Sequence, residues 1–212
     1  MHYISTRNTK KKSSFREVFL NALSPDGGLY IPKEIPVFSS KELEELSKLS
    51  YKDLAGNIIF KFCSEEFSEK EVREIVENSY KNFRKENVVC LKKYDQNYLL
   101  ELFHGPTLAF KDIAMQIIGN MYQKIIKKKN NTINIVVATS GDTGSAAIDA
   151  LKGKSKINIF VLHPKGKTSD IQRKLMTTVN DKNVFNIAVN GNFDDCQNLV
   201  KSMFTDIEFK NT

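Results

Sequence analysis

Residues 133–144 read INIVVATSGDTG, a mostly apolar run that ends in a glycine-containing turn. The helix-like segment Ala146–Leu151 follows this turn. Two further apolar runs, Ile157–Leu162 and Val184–Val189, are also each followed by a helix-like segment, the first of them at Asp170–Thr178. Apolar strands that alternate with helices at this spacing predict a parallel sheet that helices cover on both faces. The stretch therefore predicts an α/β fold.

The residues before this region have helical signals instead. Ser39-x-x-Glu42 and Ser68-x-x-Glu71 match the capping box, so a helix is expected to begin near each serine. No cluster of catalytic residue types occurs there. We expect a mostly helical packing domain in this part of the chain.

These patterns predict the domain organisation. Residues 1–95 form the helical domain, and residues 96–212 form the first part of an α/β domain that includes a smaller subdomain at about 113–205. A sheet of three parallel strands is small, and one edge strand would lack a partner. We therefore expect a sequence that is truncated at the C-terminus, with the second half of the protein missing.

Composition limits the classes of function. The 212 residues are 41% hydrophobic and 27% charged, which is typical of a soluble globular protein. No apolar run approaches the roughly 18 residues of a membrane span, and Met1–Arg7 does not resemble a secretory signal. Cys63, Cys90 and Cys196 are widely spaced and fit neither a disulfide framework nor a zinc site. We expect a cytoplasmic protein with no metal and no membrane partner.

The formal net charge of +7 raises the question of nucleic-acid binding. Much of this charge lies in two lysine clusters, Lys10–Lys12 and Lys124–Lys129. Neither cluster is interleaved with aromatic residues, and no nucleic-acid motif accompanies them. We interpret both clusters as solvated surface and expect no nucleic-acid partner.

The turn Thr139–Gly144 is a candidate anion site. It follows a strand and opens a helix, where free backbone N–H groups and the helix dipole favour negative charge. The alternative is a plain strand–helix turn with Ser or Thr as N-cap, and local features favour neither. Asp142 would repel an anion, so its carboxylate should face a cation or a group that shares a proton with it.

The segment FHGPTLAFKD, residues 103–112, contains a candidate nucleophile. Lys111 follows Leu108, Ala109 and Phe110, and a lysine in apolar surroundings is more readily a free, nucleophilic amine. A surface lysine beside a core helix is the commoner situation. His104 alone is likewise more often structural than catalytic.

Five segments together resemble the threonine synthases of the bacterial and fungal type, in the order of that family. They are SPDGGLYIP (24–32), ELFHGPTLAFKD (101–112), ATSGDTGSAA (138–147), HPKGK (163–167) and NGNFDDCQ (190–197). The resemblance covers essentially the whole chain. It implies the fold of the tryptophan synthase β-like pyridoxal-phosphate enzymes. It also implies the conversion of O-phospho-L-homoserine and water to L-threonine and phosphate, the last step of threonine biosynthesis.

The resemblance also assigns candidate site residues. Lys111 would hold pyridoxal 5'-phosphate and move protons, and Asp142 would contact the cofactor. The candidates for binding the substrate are residues of the 139–144 turn and nearby polar side chains, namely Ser140, Gly141, Thr143, Gly144, Thr107, His104, Lys167 and, with less weight, Lys165.

Two alternatives remain open from the sequence. One is a related pyridoxal-phosphate lyase or dehydratase that releases a keto acid, which product analysis would distinguish from a threonine synthase. The other is a non-catalytic, truncated remnant that binds a partner through its exposed sheet edge. Because the expected cofactor-phosphate loop lies in the missing half, we expect these 212 residues to be inactive alone.

Overall fold

The computed structural model describes residues 1–127 and 132–206, and the chain divides into two compact units. The first unit is Met1–Asn78, and the second begins at Ser79. Lysines 128 and 129 of the basic cluster and the final residue, Thr212, lie outside the described residues. Within the described ranges, no helix is both long and apolar enough to cross a membrane. The domain boundary at residue 95 and the smaller subdomain stay predictions.

The first unit is mostly helical. Its elements are β1 (Tyr3–Ser5), α1 (Phe15–Asn21), β2 (Tyr30–Pro32), α2 (Ser40–Leu46), α3 (Tyr51–Cys63) and α4 (Glu69–Tyr80), the last of which ends just inside the second unit. Strands β1 and β2 pair in antiparallel fashion. The predicted capping box at Ser39 and Glu42 is present, and the Ser68 hydroxyl accepts from the Glu71 amide at the start of α4. Both predicted helix starts are therefore confirmed.

The second unit begins with an antiparallel hairpin and continues as an α/β fold. Its elements are β3 (Cys90–Tyr94), β4 (Asn97–Glu101), α5 (Lys111–Lys127), β5 (Ile133–Ala138), α6 (Asp142–Leu151), β6 (Ile157–Pro164), α7 (Asp170–Thr177), β7 (Val184–Val189) and α8 (Phe193–Thr205). Strands β5, β6 and β7 form a parallel sheet in that order. The α/β fold class is confirmed, and β5 and β7 have the predicted bounds.

The core of the second unit lies between the sheet and α6. Ile157, Ile159 and Val161 of β6 pack with Ile148 of α6 and Met176 of α7, and all five side chains are buried. Helix α8 packs against β5 and β6. Alternate residues of β7 are less covered, because Phe185 is 41% and Ile187 43% exposed. Helices therefore cover the sheet unevenly.

The parallel order decides where the functional residues lie. Because β5 and β6 run in the same direction, the turn after Ala138 and the turn after Pro164 emerge at the same edge of the sheet. Ligands of open parallel sheets bind at this carboxyl edge. The structure thus places the 139–144 turn and the lysines at 165 and 167 at one end of the unit.

Candidate active site

Lys111 is the first residue of α5 and is half-buried. Its Nζ lies 4.5 Å from the centroid of the Phe110 ring, whose face attracts an ammonium group. Leu108 and Phe110 are themselves 50% and 55% exposed, so the apolar surroundings expected from the sequence are open to solvent. The amine is therefore accessible at a helix N-terminus.

The turn before Lys111 is held by the next residue. Asp112 is fully buried and accepts hydrogen bonds from the Thr107 amide at 2.8 Å and from the Thr107 hydroxyl at 2.7 Å. Burial raises the pKa of the Asp112 carboxyl group, while the bonds from Thr107 act in the opposite direction. Because the Thr107 hydroxyl donates its proton to Asp112, it stabilises the turn that precedes Lys111.

His104 is also committed to contacts within the protein. Its side chain is buried, and Nε2 lies 3.0 Å from Glu101 Oε2. The other Glu101 oxygen lies 2.6 Å from the Lys92 ammonium, and the His104 carbonyl accepts from the Arg84 amide. These contacts favour the structural role for His104 that the sequence left open.

The Thr139–Gly144 turn is organised by a hydroxyl that sequence reasoning did not single out. The buried Thr139 Oγ1 accepts hydrogen bonds from the Gly141 and Gly144 amides, both at 2.9 Å. Two of the amides expected to be free are therefore used within the turn. Among the described contacts, the amides of Asp142 and Thr143 have no acceptor. They are the first two of α6, where the helix dipole also favours an anion.

Gln172, at the start of α7, completes the turn. Its Nε2 donates a hydrogen bond of 2.6 Å to Asp142 Oδ1. Its Oε1 accepts from the Ser169 hydroxyl, whose oxygen also caps the helix. The neutral amide thus satisfies one oxygen of the carboxylate without a cation. The sequence contained one weak signal for this residue, because its helix follows the HPKGK segment at the sheet edge.

Gly141 makes room for this contact. Its φ of +155° is one that L side chains rarely adopt, and an added Cβ would lie 2.4 Å from the Gln172 amide carbon. Ser140 is exposed and Thr143 is half-buried, so both hydroxyls can reach a ligand at this turn. The glycine is required for the turn and the glutamine side chain to approach closely.

The two lysines after β6 are exposed. The Lys165 amide donates to the Val189 carbonyl of β7, and the Lys167 amide donates to the Pro164 carbonyl. These backbone bonds hold a turn that also contains Gly166 at a φ of 71°. Both ammonium groups are thus available at the carboxyl edge of the sheet.

Helices α5 and α6 bring Lys111 to the same end as the 139–144 turn. Gln116 donates to Asp149 at 2.7 Å, and Gly119 faces Ala150 so closely that a Cβ would lie 2.5 Å from the Ala150 carbonyl oxygen. Residues further along α5 thus meet residues further along α6, which means that the two helices run in parallel. Their first residues, Lys111 and Asp142, therefore lie at the same end of the pair.

Known proteins resemble this chain in sequence. A family model described as "Threonine synthase N terminus" matches residues 2–80. The threonine synthase of Eremothecium gossypii is 44% identical over 98% of this chain and 44% of its own length. The threonine synthase of Pseudomonas aeruginosa is 41% identical over 99% of this chain and 45% of its own length. The chain thus spans about half the length of the curated relatives it matches.

Solved structures match equally well. The pyridoxal-phosphate-bound threonine synthase of Brucella melitensis has a TM-score of 0.90 and 42% identity, covering 100% of this chain and 46% of its own. The yeast enzyme has a TM-score of 0.89 and 41% identity, covering 98% and 44% respectively. The chain has the first part of the fold of the tryptophan synthase β-like pyridoxal-phosphate enzymes. Within that class the chain is similar to the threonine synthases, and it matches their N-terminal half along 98–100% of its own length.

Proposed function

We propose that this chain supplies the N-terminal half of a threonine synthase that converts O-phospho-L-homoserine and water to L-threonine and phosphate. The observation that carries the proposal is the parallel packing of α5 and α6, which puts Lys111 and the first turn of α6 at one end. The relatives' names support the reaction. The three free cysteines fit the reducing environment of the cytoplasm, and we propose a cytoplasmic enzyme with a small-molecule substrate and no nucleic-acid or membrane partner.

The residues present fit pyridoxal phosphate, which is bound in the Brucella melitensis relative. Lys111 offers an accessible primary amine that can bond covalently to an aldehyde. When bound, the cofactor supplies an electron sink for negative charge at the substrate carbon next to the amino group. Asp142 supplies a carboxylate whose Oδ1 is held by Gln172, which leaves Oδ2 for a cofactor group that shares a proton with it.

The turn that opens α6 would bind the substrate carboxylate. The amides of Asp142 and Thr143 point to the helix N-terminus, where the dipole stabilises an anion. The hydroxyls of Ser140 and Thr143 can add two donors. Gly141 and Gly144 keep the backbone compact at this point. The substrate would then be oriented with its amino group toward Lys111, which holds and moves protons at the adjacent carbon.

The lysines at the next turn would attract the substrate phosphate. Lys167 and, with less weight, Lys165 are exposed cations at the same sheet edge as the 139–144 turn. A lysine acts as a point charge toward phosphate and needs no fixed geometry. Of the two, we propose Lys167 as the main contact, and Thr107 and His104 as residues that support the site from within the protein.

Trapping the cofactor tests the assignment of Lys111 in the chain as it exists. The purified 212-residue chain would be incubated with pyridoxal phosphate, reduced with borohydride, digested and analysed by mass spectrometry. We expect the label to concentrate on Lys111 and to disappear from that peptide in Lys111→Ala. Lys165→Ala is the matched control and should leave the labelling of Lys111 unchanged. A label spread evenly over the surface lysines would contradict the assignment.

Activity of the chain alone is a separate measurement. Because the chain spans about half the length of its relatives, we expect no threonine from added O-phospho-L-homoserine, since an incomplete site loses its electrostatic preorganisation. Threonine and 2-oxobutyrate would both be assayed. Turnover to threonine by these 212 residues would show that the site is complete without a second half.

A further inference from the structure

A compact group of three side chains lies in the β3–β4 hairpin and the segment just after it, before the Lys111 turn. The donor atoms of Cys90, Glu101 and His104 lie within 4.8 Å of one another. Strand pairing explains part of this arrangement, because Cys90 and Glu101 are directly opposite in the register of β3 and β4. His104 follows three residues after Glu101 and lies 3.0 Å from it. The group forms because the hairpin pairs Cys90 with Glu101, and the spacing of the three cysteines in the sequence does not predict it.

The geometry is close to that of a zinc centre. Zinc binds Cys sulfur at about 2.3 Å and His or Glu at about 2.0–2.2 Å, which puts neighbouring ligand atoms about 3.3–3.6 Å apart in a tetrahedron. The three donors already lie within 4.8 Å of one another, so they must approach by no more than about 1.5 Å to reach these separations. A thiolate, an imidazole and a carboxylate together favour Zn²⁺ over Mg²⁺ or Ca²⁺, which prefer oxygen ligands alone.

The Lys92 ammonium would compete with a metal ion for the carboxylate of Glu101. Glu101 and His104 are buried, at 6% and 7% exposure, and the Lys92 ammonium lies 2.6 Å from Glu101 Oε1. The Lys92 side chain is 53% exposed, so its ammonium can move into water when a cation replaces it. Cys90 is half-buried and therefore partly in contact with solvent, from which an ion and a water molecule as fourth ligand would come.

We propose that Cys90, Glu101 and His104 form a zinc site and that Lys92 occupies the position of the cation when zinc is absent. Binding releases the thiol proton of Cys90 to solvent, since the thiolate is the ligand. The ion would join β3 to the segment after β4, directly before the turn that carries Lys111. This proposal does not depend on the proposed function.

Cobalt gives a direct readout of the site. The purified chain, freed of metal with a chelator, would be titrated with Co²⁺ and then with Zn²⁺. We expect one Co²⁺ per chain, a thiolate-to-cobalt charge-transfer absorption in the near ultraviolet, and loss of this absorption when Zn²⁺ is added. Cys90→Ser should abolish the absorption, whereas Cys196→Ser, at a buried cysteine in α8, should retain it.

A second pair of variants tests the competitor and does not depend on loss of binding. Lys92→Met should tighten zinc binding roughly two- to fivefold in competition with a chromophoric chelator, the factor that corresponds to removing an ion pair with one exposed partner. Lys93→Met is the matched control, because Lys93 is opposite Tyr98 on the other face of the hairpin and should not change the affinity. The proposal is overturned if the wild-type chain shows no charge-transfer absorption, if Cys90→Ser retains it, or if Lys92→Met fails to tighten binding.

Discussion

The side-chain amide of Gln172 donates a 2.6 Å hydrogen bond to the carboxylate of Asp142. These residues belong to the first turns of α7 and α6, the two helices that follow β6 and β5. The bond therefore joins the two turns at the carboxyl edge of the sheet. It also gives Asp142 a defined orientation although the residue is exposed, which is needed if one of its oxygens is to face a ligand.

Removing this bond should affect catalysis more than stability. In a threonine-forming enzyme that contains these residues, we expect Gln172→Ala to lower kcat/KM at least about tenfold, because a hydrogen bond to a charged group contributes about 1.5–3 kcal/mol. Asn57→Ala is the control, because it removes a 2.8 Å side-chain hydrogen bond to the Asp53 carbonyl in α3, where no residue has a proposed catalytic role. Equal effects of both changes on kcat/KM would indicate a purely structural bond.

A side chain at position 141 should disturb substrate binding selectively. Gly141→Ala places a Cβ 2.4 Å from the Gln172 amide carbon and forces the backbone away from its φ of +155°. We expect KM for O-phospho-L-homoserine to rise at least about tenfold, with the covalent cofactor link at Lys111 preserved. Gly56→Ala, in α3, has open space around its Cβ and should leave KM unchanged. Loss of cofactor with an unaltered KM would reverse the roles proposed for the two segments.

The Thr107 hydroxyl should stabilise the fold through Asp112. Thr107→Val removes a 2.7 Å bond to a fully buried carboxylate, so we expect the free energy of unfolding to fall by about 1.5–3 kcal/mol. Thr107→Ser keeps the hydroxyl and should lose much less. Urea denaturation of the purified chain measures both changes. A valine variant as stable as wild type would show that water satisfies the carboxylate.

Asp112 should also make stability depend on pH. Its folded-state pKa is raised, mainly by burial, so the folded state binds the proton more tightly than the unfolded chain does. The resulting contribution to stability is fully present below about pH 4 and is lost as pH rises through the raised folded-state pKa. We expect the stability of wild type relative to Asp112→Asn to decline over this window. A difference that is constant or increases with pH would contradict the shift.

The sequence predicted the regular elements well where one signal dominates. Ile133–Ala138 and Val184–Val189 are mostly apolar runs with clear ends, and their bounds agree with the structure. The pairing of β3 with β4 was not predicted, because CLKKY lacks the alternation of a half-buried strand and its residues are mostly exposed. Hairpin register cannot be read from such a segment.

The site was predictable only in part for a different reason. Lys111 and the 139–144 turn have recognisable local patterns, whereas Gln172 and Thr139 act through contacts that depend on how turns meet. The Thr139 hydroxyl accepts hydrogen bonds from the amides of Gly141 and Gly144. The Gln172 side chain bonds to Asp142, which lies 30 residues earlier in the chain. The roles of Thr139 and Gln172 follow from the tertiary structure, and no sequence motif predicts them.

The close contact between Gly119 and Ala150 has a consequence for tolerance to mutation. Gly119 lies eight residues beyond Lys111, about 12 Å along the helix at 1.5 Å per residue. A larger side chain there would meet the Ala150 carbonyl oxygen and push α5 away from α6. The close packing at Gly119 therefore helps to set the distance between α5 and α6, and with it the position of Lys111 relative to the 139–144 turn. A substitution at Gly119 would therefore change the distance between Lys111 and the 139–144 turn although Gly119 contacts neither of them.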